Sequence, residues 1–582
     1  MSQATIAGRG RAQPASASRY GLYAGVVVLI LGPVLSILFK GPQILGSFAF
    51  WFGLYGWLVA GIVVGYLVYL ALATFAPQTA VADVTVAPDT PALSVGAKVP
   101  AGELPPWEAA DLPAAPRFNF RNALMIIGPG AILLGTSIGS GEWLIGPAVT
   151  ARFGGALLWV ASASIILQVI MNMEFVRYTM YTGEPIYTGF MRTKPGPVFW
   201  AIVYALLVFL QLGWPGWASS AATALAAAFV GGVPGPADAG LVQIFGIICF
   251  LLTVVLAAIG SKIERTMELV QWFFIVAILL FLIVIGVGFT SLGTWGRVAT
   301  GFVSFGAFPQ GVDWVLLGGF AAYAGAGGVI NGAISNWFRD KGFGMGGAVG
   351  YIPALIGGRK ITLTHEGKVF PVTTENKQRW NEWWKFAGAD QYGLWVVGCF
   401  LGMGLPALLT LHFIPAGTEF KNNFAVAVYQ AEFLSKVWGT LMFYITLLVG
   451  FWILFSTQIG ITDGFVRIVT DLIWTGSKRA RAWRGGDVRL IYYSVLAVFT
   501  LWGIIILLTG VRPLFLILLG ANMAGLNFVV LGLHTLYVNR KFLPRDLRPS
   551  LWREAVMVLA AVFFLFFFAN AVPGILTQLG LM

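Results

Sequence analysis

Charge is what this 582-residue sequence has least of: only 10% of its residues are Asp, Glu, Lys or Arg. Soluble domains carry roughly 25%, so a water-soluble globular reading is excluded at once. Cysteine is nearly absent too. Cys249 and Cys399 both lie in apolar runs without a CxxC partner, which leaves neither a disulfide framework nor a zinc site. Histidine occurs three times, with His365 in a loop, His412 near a helix end and His534 in a late helix. A lone histidine in such a helix is hydrogen-bonded packing more often than a ligand. No P-loop, nucleophile elbow or metalloprotease signature occurs, which excludes an ATP-driven pump and leaves no enzyme motif.

What is present is apolar length. Hydrophobic residues make up 58% of the chain and the mean hydropathy is +0.82. Runs near the roughly 20 residues that a spanning helix needs recur from end to end. Thirteen spans are expected, at about 20–40, 48–76, 122–148, 155–181, 198–230, 240–260, 267–290, 312–337, 391–415, 436–466, 489–510, 513–538 and 554–578. The N-terminal stretch MSQATIAGRGRAQPASASRY is not read as a cleavable signal, because a second long span follows the first with no small-residue cleavage site between them. With the N-terminus cytoplasmic, 30 of the 36 Lys and Arg residues fall on cytoplasmic segments, and the C-terminus emerges on the outer side. The formal net charge of +12 is therefore the positive-inside bias at work, and nucleic acid drops out as a partner. The partners expected are membrane lipids and a small cation.

Three soluble pieces stand out. Residues 77–118, rich in Ala, Pro and Val, read as a cytoplasmic linker between a two-helix appendage, 1–76, and the main body, 119–582. An insertion at 338–390 contains KITLTHEGKVFPV, which alternates like a hairpin. It also contains NKQRWNEWWKFAG, whose Trp380, Trp383 and Trp384 share a face suited to a helix at the membrane interface. SKRARAWRGGD, from Ser477, reads as a basic anchor to an anionic leaflet.

Two spans are interrupted by glycine. One carries GTSIGSGEW from Gly135; the other, 312–337, has glycines at 318, 319, 325, 327, 328 and 332. Their starts lie five spans apart, and Gly-interrupted helices at matching places in two halves point to an inverted-repeat secondary transporter. A mid-membrane break strands N–H and C=O groups that protein, water or a ligand must satisfy. Packing alone would explain the Gly135–Gly139 spacing. Two matched breaks with a carboxylate in one of them favour a site.

That carboxylate is Glu142. A charge at mid-membrane costs at least about 2.5–3.5 kcal/mol on insertion scales, and here the N-terminus of the second half-helix would favour it. A protonated or Arg-paired structural carboxylate is the alternative. Glu174 and Arg177, three apart, read first as a structural pair and second as a gate. Asp463 and Arg467 form an i,i+4 pair, with Asp463 as proton carrier the lesser reading.

From about Gly128 onward the sequence resembles the Nramp family of proton-coupled divalent-metal transporters, which have a LeuT-type fold. The resemblance rests on GPG at Gly128–Gly130, on ILQVIMNMEFVRYTMYTGEPI with Gln168, Arg177, Thr182 and Gly183, on GSKIERTMELV, and on VNRKFLPRDLRP. It implies an all-α membrane protein with a 5+5 inverted repeat in about eleven helices, here preceded by two more. The departures fall at the chemistry. Where the family has Asp-Pro-Gly-Asn, this chain has Gly139-Ser140-Gly141-Glu142, so the metal-binding Asp is replaced by Gly139. The sixth-helix Met-Pro-His-Asn is replaced by GAGGVINGAISN, and the polar third-helix landmark by QLGWPGW.

The expected binding groups are hard oxygens: Glu142, Thr136, Ser137, carbonyls near Gly139 and Ala326, and the amides of Asn331, Gln211 and Asn522, with Tyr323 beside them. Glu142, Gly139 and Asn331 are the metal-ligand candidates. Such a set favours magnesium, manganese or calcium over soft metals. The ion is cargo rather than cofactor, and proton coupling stays open. A rival reading takes Trp143, Trp214, Trp217 and Tyr323 as an aromatic pocket for an organic cation or amino acid. A third is a non-transporting signalling module. The first two helices read either as a homo-oligomer contact or as a brace.

Overall fold

The computed structural model describes residues 94–258, 263–353, 366–418, 428–483, 487–510 and 513–581. The helices expected at 20–40 and 48–76 lie outside these residues. The compact unit Ala92–Val572 holds the site described below.

Its first half runs α1 (Phe120–Ile126), α2 (Pro129–Ser137), α3 (Gly146–Phe153), α4 (Leu158–Thr182), the short α5 (Ile186–Met191), α6 (Pro197–Leu212), α7 (Gly216–Val230), α8 (Ala239–Ala258) and α9 (Ile263–Phe289). A connector helix, α10 (Leu292–Val303), leads to the second half. That half comprises α11 (Trp314–Tyr323), α12 (Val329–Lys341), α13 (Thr374–Gly388), α14 (Val397–Phe413), α15 (Tyr429–Trp438), α16 (Thr440–Gly476), α17 (Lys478–Ala482), α18 (Val488–Leu508), α19 (Pro513–Phe542) and α20 (Leu551–Gln578).

Among the described residues, nine helical stretches are long and apolar enough to cross a membrane. One of them, Pro129–Thr182, is 54 residues long and contains two of the expected spans, folded back where Gly154 takes φ +67°. Expected span 312–337 is absent from the nine because it is cut into the ten residues of α11 and the thirteen of α12. Span 198–230 is divided at Gly213–Pro215, since Pro215 has no N–H to give. The Trp502 indole donates to the Gly213 carbonyl at 2.7 Å, and Gln458 Oε1 accepts from Ala218 N at 3.1 Å at the start of α7.

α16, 37 residues long, is the axis of the unit and packs against α2, α6, α7, α9, α15 and α18. Small residues let it come close, as expected where lipid offers no hydrophobic drive between helices. A Cβ on Gly460 would stand 1.8 Å from Thr136 Oγ1, so only glycine fits there.

The soluble pieces differ from the linear reading. Residues 94–118 are packed onto the unit. β1 (Lys98–Val99) pairs antiparallel with β2 (Trp107–Ala109), and β2 pairs parallel with β3 (Lys368–Val369) of the insertion. The second arm of the expected hairpin thus bonds to the linker; its first arm, 361–365, lies outside the described residues. α13 continues through a wide turn, Ala389–Val396, into α14, so the helix begins 17 residues before the expected 391. Trp380 and Trp383 are buried against protein, with Trp383 Nε1 donating to the Pro113 carbonyl at 2.9 Å. Trp384 lies under the Arg177 guanidinium. The tryptophan face therefore meets protein where a membrane surface was expected.

Candidate functional site

Both interrupted helices are unwound, and in the same way. α2 ends at Ile138 with φ −67° and ψ 82°; α11 ends at Ala324 with φ −72° and ψ 88°. Neither ψ is helical, so each helix stops on an equivalent backbone turn. Beyond Ile138 the chain resumes through Ser140 and a π turn, Gly141–Ile145, into α3. Beyond Ala324, Gly325, Gly327 and Gly328 take φ of 114°, 93° and 53°, values that L side chains rarely adopt, before α12 begins. The breaks touch: a Cβ on Gly141 would stand 1.9 Å from the Tyr323 carbonyl oxygen.

Glu142 joins them. Its side chain is fully buried; Oε2 accepts from Gly139 N at 3.2 Å and Oε1 from Gly325 N at 3.1 Å. Both are amides that the unwinding stranded, one from each break. The carboxylate is thus a staple between the two half-repeats.

Two glutamines satisfy much of the rest of the second break. Gln168 of α4 donates to the Ala324 carbonyl at 2.9 Å and accepts from Ala326 N at 3.1 Å and from Asn331 Nδ2 at 3.1 Å. Gln211 of α6 donates to the Gly327 carbonyl at 2.8 Å and accepts from Val329 N at 3.0 Å and Asn527 Nδ2 at 2.9 Å. An unsatisfied buried polar group costs about 1–3 kcal/mol, so these side chains hold the loop in its unwound form.

Beside the staple is a small cavity, on the order of one water in size, lined by Thr136, Ser137, Ser140, Gly141, Trp217, Tyr323, Gly325, Ala326, Thr457 and the apolar Ile461. Thr136 and Ser137 line it while donating to the Ile132 and Leu133 carbonyls, each at 2.7 Å. Ser140 Oγ accepts from Trp217 Nε1 at 3.0 Å. Tyr323 and Ala326 are in the lining as expected.

Other expected groups are elsewhere. Gln211 is committed to the backbone as described. Asn331 sits behind Gln168 and donates to Asn172 Oδ1 at 2.8 Å. Asn522 donates to the Val315 and Leu518 carbonyls, more than a turn before the second break. At Gly139 a Cβ would be 2.1 Å from Thr457 Oγ1, so the place of the family's Asp has no room for a side chain. Of the four aromatics, Trp217 and Tyr323 reach the cavity. Trp143 packs on Gly450, and Trp214 donates to the Leu210 carbonyl.

The outlying charged residues form ion pairs. Arg177 Nε meets Glu174 at 2.7 Å, and Glu174 also takes Arg553 at 3.2 Å. Asp463 accepts from Arg467 Nε at 2.9 Å, Trp337 Nε1 at 2.9 Å and the Tyr492 hydroxyl at 2.8 Å. Arg467 reaches on to Asp340, which pairs with Arg339, which in turn pairs with Asp471. Linear reading missed Arg339, Asp340 and Asp471, since the chain of charges exists only where α12 lies against α16. It also passed over Ser140, whose role depends on Trp217 arriving from α7. Among the described residues, no three His, Cys, Asp or Glu side chains converge as a metal cluster; Glu142, the carboxylate that bridges the breaks, adjoins the cavity but is not part of its lining.

No family model matches this sequence, and no curated protein matches it. Solved structures do. The manganese transporter of Eremococcus coleocola matches in one mutant form with a TM-score of 0.55 at 13% identity, covering 80% of this chain and 90% of that one. A second mutant form gives 0.54 at 12% identity with the same coverage. Its complex with an aromatic bis-isothiourea compound gives 0.52 at 14% identity, covering 80% and 89%. At such identities the likeness is one of fold. This chain is an integral, multi-pass helical membrane protein with the inverted-repeat fold of Nramp-type transporters.

Proposed function

We propose that this protein is a secondary active transporter that carries a small, hard divalent cation of the magnesium, manganese or calcium class by alternating access around the two breaks. The observation that carries the reading is the Glu142 staple beside a cavity of hydroxyl and carbonyl oxygens. A carboxylate offers about four lone-pair positions. The two amides use two of them, which leaves acceptor capacity for a cation without dismantling the breaks. Thr136, Ser137 and Ser140 are hard neutral ligands. With a single carboxylate, a dication keeps much of its water, and affinity is correspondingly low.

The fold supports transport, and the neighbouring structures are of a membrane transporter. That neighbour is described as a manganese transporter, and this chain differs from the family motif at its first-helix Asp and its sixth-helix Met and His, where it has no equivalent side chains. The preference for hard ions follows from those differences. The organic-cation reading keeps Trp217 and Tyr323 at the cavity but loses Trp143 and Trp214, and the cavity in this closed form suits an ion better than an amino acid.

The deciding experiment is uptake of magnesium, manganese and calcium into proteoliposomes, wild type beside Glu142→Gln. Saturable flux of at least one ion in the wild type, reduced at least tenfold by the substitution, is expected. Absence of flux from folded wild-type protein, with thermal stabilisation by an amine or amino acid, would replace the metal reading with the aromatic one.

A further inference from the structure

The short helix α1 takes no part in the breaks or in the cavity. Its seven residues are capped by Asn119 Oδ1, which accepts from Asn122 N at 2.8 Å, and Asn122 Nδ2 donates back to the Arg117 carbonyl at 2.8 Å. A helix this short is marginal in water by itself, so it needs a surface to lie on. Protein supplies one side. Ala123 is buried, and Phe118, just ahead of the helix, meets Phe386 of α13 edge-on with ring centroids 5.0 Å apart.

The other side is apolar and bare. Phe120, Leu124 and Met125 are 80%, 58% and 58% exposed, and at this spacing they share a face with the exposed Arg121. A cluster of exposed apolar side chains beside polar ones marks a contact with a protein or a membrane.

Two observations name the partner. The first is place. Ile127 takes ψ 126° and Gly128 takes φ −166°, neither of them helical, so the chain turns between α1 and α2. The membrane-spanning stretch Pro129–Thr182 starts immediately after that turn. α1 thus lies off the axis of α2, at the level where α2 enters the bilayer. The second is charge. Residues 94–111 carry Glu103, Glu108 and Asp111 against one Lys98. Residues 112–127 carry Arg117 and Arg121, both exposed, and no acidic residue. The charge changes sign where the chain reaches the membrane, and cations beside an apolar helical face are the make-up of an interfacial helix on anionic lipid.

We propose that α1 is a lipid-docking helix: Phe120, Leu124 and Met125 enter the leaflet on the side of residues 94–118, and Arg117 and Arg121 hold its anionic headgroups. In the expected orientation this is the cytoplasmic leaflet. Every residue from Gly128 to Ala151 is buried, so lipid reaches the limb that carries the first break through α1. At the start of that limb Gly128 N–H donates to Asp390 Oδ1 at 3.1 Å. Any movement of α2 away from Asp390 drags α1 through the leaflet, and lipid charge thereby bears on the closed form. The docking is independent of the cargo, and its test needs no transport.

The test uses full-length Met125→Cys protein carrying an environment-sensitive fluorophore, reconstituted in phosphatidylcholine vesicles with or without phosphatidylglycerol. Cys249 and Cys399 are fully buried and add little label. Quenching by phosphatidylcholine with a nitroxide high on its acyl chain, and shielding from aqueous iodide, are expected, the lipid quenching at least twofold stronger with phosphatidylglycerol. The same label on Glu103→Cys, exposed and in the acidic stretch, should show the reverse preference for quencher. Arg117→Gln with Arg121→Gln should abolish the phosphatidylglycerol effect. Phe120→Gln with Leu124→Gln should bring the label within reach of iodide at unchanged Tm in detergent, because both side chains are mostly exposed. Iodide quenching at Met125→Cys equal to that at Glu103→Cys would overturn the docking, and lipid quenching indifferent to phosphatidylglycerol would overturn its anionic preference. Protection from both quenchers, or a fall in Tm of the Phe120→Gln, Leu124→Gln protein, would also overturn it. Protein would then cover the face, either residues 1–93 or a second copy.

Discussion

Gly141, Gly139 and Gln168 show how little freedom individual positions have at the breaks. Gly141→Ala would drive a methyl into the Tyr323 carbonyl, and overpacking of this kind costs about 1–3 kcal/mol. A fall in Tm of the detergent-solubilised protein is the expected reading, and an unchanged Tm would mean that the breaks do not touch. Gly139→Asp would restore the residue type of the family's metal ligand. With Thr457 Oγ1 against that position, the substitution is expected to destabilise without improving metal uptake. Gln168→Leu strands the Ala324 carbonyl and the Ala326 amide, at about 1–3 kcal/mol for each group. It should unfold well below wild type, and more severely than a lipid-facing change such as Ile248→Leu. Glu142 was visible in the linear sequence because a carboxylate in an apolar run is conspicuous. Its two amide partners were not, because one of them, Gly325, is 183 residues away.

Among the elements, α12 and α16 are joined by alternating buried charges, and the strap at 94–118 is fastened by Arg192. Arg467 is fully buried between Asp463 and Asp340. Removing one member of such a set costs about 3–5 kcal/mol because its partners are left charged and buried. Arg467→Leu should therefore lower the yield of folded protein sharply. Asp463→Asn, which leaves Asp340 for Arg467, should be milder and should not change the pH dependence of uptake; a changed profile would instead give Asp463 a proton-carrying role. Arg192 donates to the Ala101 and Pro105 carbonyls at 2.8 and 2.9 Å and pairs with Glu184. Burial on its own would lower this guanidinium, yet the Glu184 carboxylate holds it above its ordinary value. Arg192→Ala should free the strap, detected as faster proteolysis within 94–118 while the helical core stays intact. A composition of Ala, Pro and Val suggested a linker here. What orders it is a set of main-chain acceptors, which composition does not reveal.

At the scale of the whole molecule, the site is closed. Glu142, Ser140 and Thr136 are buried, and Cys249 and Cys399 are fully buried as well. Alternating access requires the breaks to open to each side in turn, so Ser140→Cys should react slowly with a membrane-impermeant maleimide at rest and faster during transport. Native cysteines should give little background. Immediate, complete labelling of the resting protein would mean that the closed arrangement is not its resting state.

Membrane residence, the approximate places of most described spans and the two interruptions were determined by the sequence alone, because hydropathy and glycine act within a few turns of helix. The same local chemistry singled out Glu142. Only the tertiary structure decided what that carboxylate does, which of the neighbouring oxygens converge, and that Gln168 and Gln211 serve the second break. The physical reason is the membrane's lack of water. Each amide and carbonyl freed by unwinding must find a partner inside the protein, and those partners come from helices far along the chain. Their identity is set by packing, which no local window of sequence contains.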